Sequence, residues 1–379
     1  MEGLYEKLEP RTPGQERLKE ALESGSDIVG VFGPTGTGKS LFSISYGVSS
    51  ALQGRYDRFI LARPVIDIAT GREVTITSDP EMYRSIASEY IEDILKTGSA
   101  GLEKLYESGK IVLVDPHFLR GRTFDNSIIV LDDAQSVPPE TIVEVITRLG
   151  EGSRLIIAGD PVFQRTTEPG KDGASLAREI LLGEENAVVV DLGVKDIVRP
   201  GARRGIRLLL ELNMRKRSLD EVEKSVYEAA RIRAPDADII TVVNLLDPKR
   251  RWGIESDHTP DALIIVKEKH MGRLIGQRGE RIAQVEEDTG LSVRGIPLTL
   301  DFRELVRAIH PVAWIHKHII DTDFAGPLLK LEVARGNMGP LMGQRGIYIR
   351  FLDEIVQKLL GVRVHVVEAE ERPRKRRRR

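Results

Sequence analysis

The chain has 379 residues, with 56 basic and 58 acidic side chains and a formal charge of −2; that length exceeds one ordinary core, so two or three domains are expected. Cysteine is absent, which excludes disulfides and thiolate metal sites and suits a reducing compartment. The first residues show no apolar stretch after a basic start, and no window approaches the roughly 20 apolar residues that span a bilayer, so a cytoplasmic protein with no membrane partner is expected.

Up to about residue 195, short apolar runs recur at 27–32, 58–62, 111–115, 127–132, 154–158 and 187–191, separated by helical or loop sequence. They are continuous rather than alternating, the pattern of strands buried on both faces of a parallel sheet. An α/β domain with helices on both faces is expected.

The first run feeds Gly33, Pro34, Thr35, Gly36, Thr37, Gly38, Lys39 and Ser40, and a helix is expected from Leu41 to about residue 51. Glycines at this spacing let consecutive backbone N–H groups turn inward around phosphate oxygens, and the positive end of the helix adds to the attraction. Lys39 is expected to reach the β- and γ-phosphates of ATP, and the Ser40 hydroxyl to ligate Mg2+. The bland alternative is a glycine-rich turn that merely caps a helix.

The run at 127–132 ends in Asp132 and Asp133. Asp132 is expected to hold Mg2+, and Asp133 to orient an attacking water, against the alternative of a solvated strand end. After the run at 154–158, Gln164 is a candidate amide donor to the γ-phosphate, or part of a plain surface turn. Arg199 is a candidate for stabilising transition-state charge, in cis or across a subunit contact, or an ordinary surface arginine.

Beyond about residue 215 the units become smaller. A helix is expected over 218–230, with Ser218 as its cap and Glu221 three residues on. A near-repeat follows: the segment at 271–279 returns at 338–346, and each copy leads into a helix-like run and a strand. Two copies of one small module are implied. Gly276, Gln277, Arg278 and Gly279 in the first copy match Gly343, Gln344, Arg345 and Gly346 in the second, with Ile282 and Ile349 three residues after each second glycine. Two such glycines let the backbone approach a sugar-phosphate chain, and the arginine adds charge. His316 and His318 alternate without a third metal ligand in view. Seven of the last eight residues are basic, which adds attraction to phosphates or simply solubilises the chain.

These residues carry two family resemblances. The order of 33–40, Ala62-Arg63-Pro64, 118–123, 129–135, 147–150, Gly159-Asp160 and 196–199 resembles the PhoH-like ATPases, relatives of superfamily-one helicase cores, over about residues 10–210. The resemblance implies ATP hydrolysis, assembly into a homo-oligomer such as a hexameric ring, RNA helicase or remodelling activity, and a Gln15 that reads adenine. The sequence departs from that family in having Asp133 where Glu is usual, Gln164 one residue late, and a shorter stretch between Pro64 and Asp79. The paired glycine loops resemble the GxxG signature of KH domains in their prokaryotic arrangement, which implies single-stranded RNA as partner.

The fold expected is an α/β P-loop NTPase domain with a mostly parallel sheet, followed by two small α+β KH domains. The boundaries are 1–212, 213–298 and 299–369, with a basic tail at 370–379. The function expected is an ATP-hydrolysing RNA-binding protein that acts as a helicase or remodeller. The alternatives are an ATP-gated RNA binder that moves no strand and a motor acting on DNA.

Overall fold

The computed structural model describes residues 3–67, 73–96, 98–119, 121–164 and 171–369. The basic tail at 370–379 lies outside the described residues. The chain divides into two compact units, one running to Arg203 together with Phe324–Pro327, the other comprising Arg204–Asp323 and the chain from Leu328.

In the first unit the six apolar runs are strands, with ends within one residue of those expected. They are β1 (Ile28–Phe32), β2 (Arg58–Ala62), β5 (Ile111–Val114), β6 (Ser127–Leu131), β7 (Arg154–Gly159) and β8 (Ala187–Asp191), while β3 (Val65–Ile66) and β4 (Glu73–Val74) form a separate antiparallel pair. The sheet runs β5-β2-β6-β7-β1-β8 and every pairing is parallel.

Alternate residues of each strand face opposite cores, which is why the runs are continuous. Val29, Val31, Phe59, Leu61, Ile128 and Val130 pack with α1 (Pro13–Glu23), α2 (Lys39–Leu52), α3 (Pro80–Leu95) and α4 (Ser99–Glu107). Ile28, Phe32, Ile60, Ala62, Ile129 and Leu131 pack with α5 (Pro139–Ile146) and α6 (Gly173–Leu181). Arg154 is buried to 4% exposure and donates to the carbonyls of Leu22 and Ala21 and to the Tyr46 hydroxyl. Its guanidinium thereby satisfies the open end of α1.

Parallel strands place all their carboxyl ends on one edge. The chain leaves β1 and enters β2 on the far side of β7 and β6; such a reversal opens a crevice at the carboxyl edge beside β1.

The second unit is entered along α7 (Pro200–Arg215). Its first module is α8 (Glu221–Arg233), β9 (Ile239–Asn244), α9 (Leu246–Trp252), β10 (Ala262–Val266), α10 (Met271–Ile275), α11 (Glu280–Thr289) and β11 (Val293–Pro297). The second is α12 (Arg303–Ile309), β12 (Ile319–Ala325), β13 (Leu328–Val333), α13 (Met338–Met342), α14 (Ile347–Leu360) and β14 (Arg363–Glu368). Apart from α9, both run helix, strand, strand, short helix, helix, strand. Each has a three-stranded sheet whose middle strand, β10 or β13, is parallel to the last strand of its module.

The cap of α8 differs from the sequence expectation. Asp220, not Ser218, accepts from the Glu223 N–H at 2.9 Å, and Glu223 returns the bond to the Asp220 N–H at 3.0 Å. Tertiary contact decides this register. The buried Glu223 carboxylate also takes Arg217 at 2.9 Å, the Asn244 N–H at 3.1 Å and Lys358 at 2.7 Å. Because Lys358 belongs to the second module, the same carboxylate ties the two modules together. Glu354 reinforces the seam by accepting from the Trp252 indole at 2.8 Å and from Arg251 at 2.7 Å.

Candidate functional site

The glycine loop after β1 closes onto α2, which begins at Lys39, two residues before the expected start; Gly38, at φ 96°, precedes it. A Cβ on Gly36 would collide with Ala202, and one on Gly38 would press on the Gln15 amide, so no larger residue fits either place without moving the loop. Behind the loop, Gln15 is buried; its amide donates to the Thr37 carbonyl at 2.8 Å and its oxygen accepts from the Arg11 N–H at 2.8 Å. The Thr37 hydroxyl donates to the Pro34 carbonyl at 2.8 Å. Lys39 folds back into the loop and donates to the carbonyls of Gly33 at 2.7 Å and Pro34 at 3.0 Å. Burial holds its ammonium below the ordinary lysine value, against the pull of Asp160, Asp132 and Asp133.

Opposite the loop, β6 delivers Asp132, which is 1% exposed. The Ser40 hydroxyl donates to Asp132 Oδ1 at 3.1 Å, and the Tyr90 hydroxyl donates to Oδ2 at 2.6 Å. Burial and the neighbouring Asp133 charge push the Asp132 carboxyl up, while the Tyr90 bond, Arg63 and the Ser40 bond pull it down. A serine hydroxyl touching a carboxylate is a hard oxygen pair of the kind Mg2+ takes while keeping several waters. The donor set of Ser40 and Asp132 therefore suits Mg2+.

Asp133 adopts a left-handed backbone at φ 55°. Its carboxylate accepts from Arg63, with Nη2 at 2.8 Å and Nε at 3.0 Å, and from the Gln135 amide at 3.2 Å. Arg63 in turn lies 3.8 Å from the centroid of the Tyr90 ring. Burial alone would weaken the guanidinium's hold on its proton, but Asp133, Tyr90 and Asp132 raise it. The Gln135 oxygen accepts from the Asp160 N–H at 2.9 Å, so one amide joins the ends of β6 and β7. Asp160 is buried, and its Oδ1 accepts from the N–H groups of Val162 and Phe163.

The expected residues are thus only partly brought together. Gly33 to Leu41, Asp132 and Asp133 converge at the carboxyl edge. Arg199 joins them, its Nε 3.6 Å from where a Cβ on Gly36 would lie. Gln164 is exposed and makes no hydrogen bond among the described residues; the amide at the centre of the cluster is Gln135. Arg63, Gln135 and Asp160 lie in segments that carried the family resemblance but had no role assigned from sequence; Tyr90 is an addition from the structure. Arg63 directly follows a buried strand, which is a readable signal. Tyr90 has none, because only the packing of α3 brings it to Asp132.

In the second unit the two glycine loops share one backbone. Gly276 and Gly343 have φ 74° and 71°, Arg278 and Arg345 φ 52° and 54°, and Gly279 and Gly346 φ 85° and 75°. A left-handed arginine costs about 1 kcal/mol, and both copies keep it. Gln277, Arg278, Gln344 and Arg345 are exposed. A Cβ on Gly276 would meet Arg281 and one on Gly343 the Tyr348 ring, whereas Gly279 faces open space. The segments 269–279 and 334–350 contain no acidic residue.

His316 and His318 join no metal-type cluster. Among the described residues the one group of three potential ligands is Glu73, Asp115 and His117, in which His117 Nδ1 lies 3.0 Å from Asp115 and 3.2 Å from Glu73. That arrangement is closed by the contacts of the His117 ring with both carboxylates.

A parallel sheet carrying a glycine loop, a lysine, a serine and an opposed aspartate at its carboxyl edge defines a P-loop NTPase-like α/β core. Residues 7–211 match the family described as PhoH-like protein. The match covers more than half of the chain, which belongs to that family. The chain is 31% identical over 195 residues to a PhoH-like protein of Bacillus subtilis, covering 50% of this chain and 59% of that relative. It is 28% identical over 197 residues to a PhoH-like protein of Mycobacterium leprae, covering 51% and 55%. It therefore spans little more than half the length of these curated relatives. Among solved structures, it is similar to Pif1 helicase from Candida albicans, at 12% identity and TM-score 0.26, covering 69% of this chain and 64% of that one. No helix of the described residues is long and apolar enough to cross a membrane.

Proposed function

We propose that this protein hydrolyses ATP with Mg2+ and uses that cycle to bind and remodel single-stranded RNA, as a helicase or a related remodeller. The observation that carries the reading is the contact of Ser40 with Asp132, two residues 92 apart in sequence that meet at the carboxyl edge beside the glycine loop. The metal would neutralise phosphate charge there. Lys39 would leave the carbonyls of Gly33 and Pro34 for the phosphates, exchanging neutral acceptors for anionic ones. Asp132, held by Tyr90, keeps an oxygen directed at Ser40 for the metal. Asp133 would orient the attacking water, with its position set by Arg63 and Gln135. Arg199 would supply positive charge as the transition state forms, and Gln164 would reach the γ-phosphate only after the turn that carries it moves. Gln15 would read adenine with the amide hydrogen left over from its bond to Thr37.

The second unit comprises two KH-type modules on this reading, gripping RNA through 276–279 and 343–346. A ring of identical subunits would complete the machine. The test is the ATPase rate of full-length protein with and without single-stranded RNA. Lys39→Ala should abolish hydrolysis, and RNA should stimulate the wild type. A rate indifferent to every nucleic acid refutes the coupling.

One observation favours a second reading, an ATP-gated RNA binder that moves no strand. The short Asp133 side chain is already engaged by Arg63 and Gln135, which suits slow turnover. Multiple-turnover displacement of a tailed RNA duplex separates the two. Competition by DNA of the same sequence decides whether DNA is the track instead.

A further inference from the structure

Most aromatic side chains of this chain are interior. Among the exposed large apolar residues of the described chain only Phe118 and Trp314 are aromatic, and Trp314 is 45% exposed. A half-open indole loses favourable burial, so its surroundings matter. Trp314 sits in the second module, in the connection from α12 to β12. Its ring stands nearly perpendicular to that of His318, with centroids 5.3 Å apart. The segment 310–318 holds three histidines and Lys317 and no acidic residue, and Lys317 is exposed.

That segment is fastened to the glycine-loop element at two points. The His318 carbonyl accepts from the Ala334 N–H at 2.8 Å, just before α13. His310 Nε2 donates to the Leu341 carbonyl at 3.0 Å, and the His310 ring meets Tyr348 at 5.6 Å, where Tyr348 underlies Gly343. Between these fastenings α13 is five residues long, about 7.5 Å. The segment that carries the indole is therefore anchored to the same short helix that ends in the second loop, and residues 334–350 add three arginines and no acid.

We propose that Trp314 is a base-stacking site, taking the nucleobase of a single strand immediately beyond the stretch gripped by Gly343 to Gly346, with Lys317 facing its phosphate. This rests on the reading of the second unit as an RNA-binding element and adds to it a contact to the bases. A GxxG loop clamps about four nucleotides through the backbone, and an aromatic face beside it lengthens the track without demanding a sequence, because every base has a π-face.

The test uses full-length protein, a short fluorescent oligouridylate, and an abasic ribose-phosphate chain of the same length. Trp314→Ala should weaken oligouridylate binding between about 5- and 150-fold, leave the abasic chain unaffected, and keep the wild-type melting temperature; Trp314→Phe should bind within about threefold of wild type. In Trp252→Phe protein, where Trp314 is the sole indole, oligouridylate should quench the fluorescence and the abasic chain should not. Equal loss for both chains, or no loss with Trp314→Ala while wild type binds, overturns the stacking site alone. Wild type that binds neither chain overturns the RNA-binding reading with it.

Discussion

Glu223 offers a perturbation whose size follows from its surroundings. Its side chain is fully buried, and its two oxygens serve Arg217, Lys358 and the backbone N–H groups of Asn244 and Asp220. Glu223→Ala takes the carboxylate from an arginine at 13% exposure, which keeps the neutral oxygens of Thr241 and Val242, and from a lysine at 33%, which keeps Asp220, and it removes the reciprocal bond of the α8 cap. Breaking a buried pair in this way costs about 4 kcal/mol. Glu223→Gln keeps an acceptor oxygen but removes the charge, at a cost of about 2 kcal/mol. With a urea slope of about 2 kcal/mol per molar, the midpoints should fall by about 2 M and about 1 M. Trp252 and Trp314 are the only tryptophans of the chain and both lie in the second unit, so intrinsic fluorescence reports that unit alone. A Glu223→Ala midpoint within about 0.3 M of wild type would refute the view that this carboxylate joins the two modules.

Further outcomes are expected elsewhere. Tyr90→Phe removes the donor to Asp132 Oδ2; the Mg2+ concentration for half-maximal ATPase should rise about tenfold or more, and an unchanged Mg2+ dependence would show that Tyr90 does not support the metal ligand. Replacing both Arg278 and Arg345 by Ala should weaken RNA binding and flatten its salt dependence by about 1.4 in log–log slope, two phosphate contacts at about 0.7 each; an unaltered slope would remove these arginines from the interface. His310 accepts from the Val312 N–H at Nδ1 and meets the Leu341 carbonyl with Nε2, which requires the neutral ring, and burial lowers its pKa from the ordinary 6.5. The unfolded chain thus takes up a proton that the folded chain refuses, so this contribution is complete above about pH 6.5 and is lost as the pH falls below it. His310→Gln should lessen the drop in the fluorescence-monitored urea midpoint between about pH 7.5 and about pH 5.5; an equal drop in both proteins would exclude His310 as its source.

Local pattern made much of this protein legible. Continuous apolar runs gave six parallel strands to within a residue, because a strand buried on both faces has no polar alternation to blur its ends. The glycine loop and Asp132 were readable because both directly follow such strands. The near-repeat announced two like modules, and the structure shows one loop backbone in both and, apart from α9, one element order.

What sequence could not supply depends on packing between distant segments. Asp220 displaced Ser218 as the cap because Glu223 is drawn inward by Arg217, Asn244 and Lys358. Gln135, not Gln164, stands between the ends of β6 and β7 because the sheet sets those strands side by side. Asp133 looked free in sequence, yet Arg63 holds it from the end of β2, the neighbouring strand on the other side of β6. Tyr90 meets Asp132 only because α3 folds across that edge. Residue type and local spacing determined which chemistry the strand ends carry; the order of strands in the sheet alone decided which side chains touch.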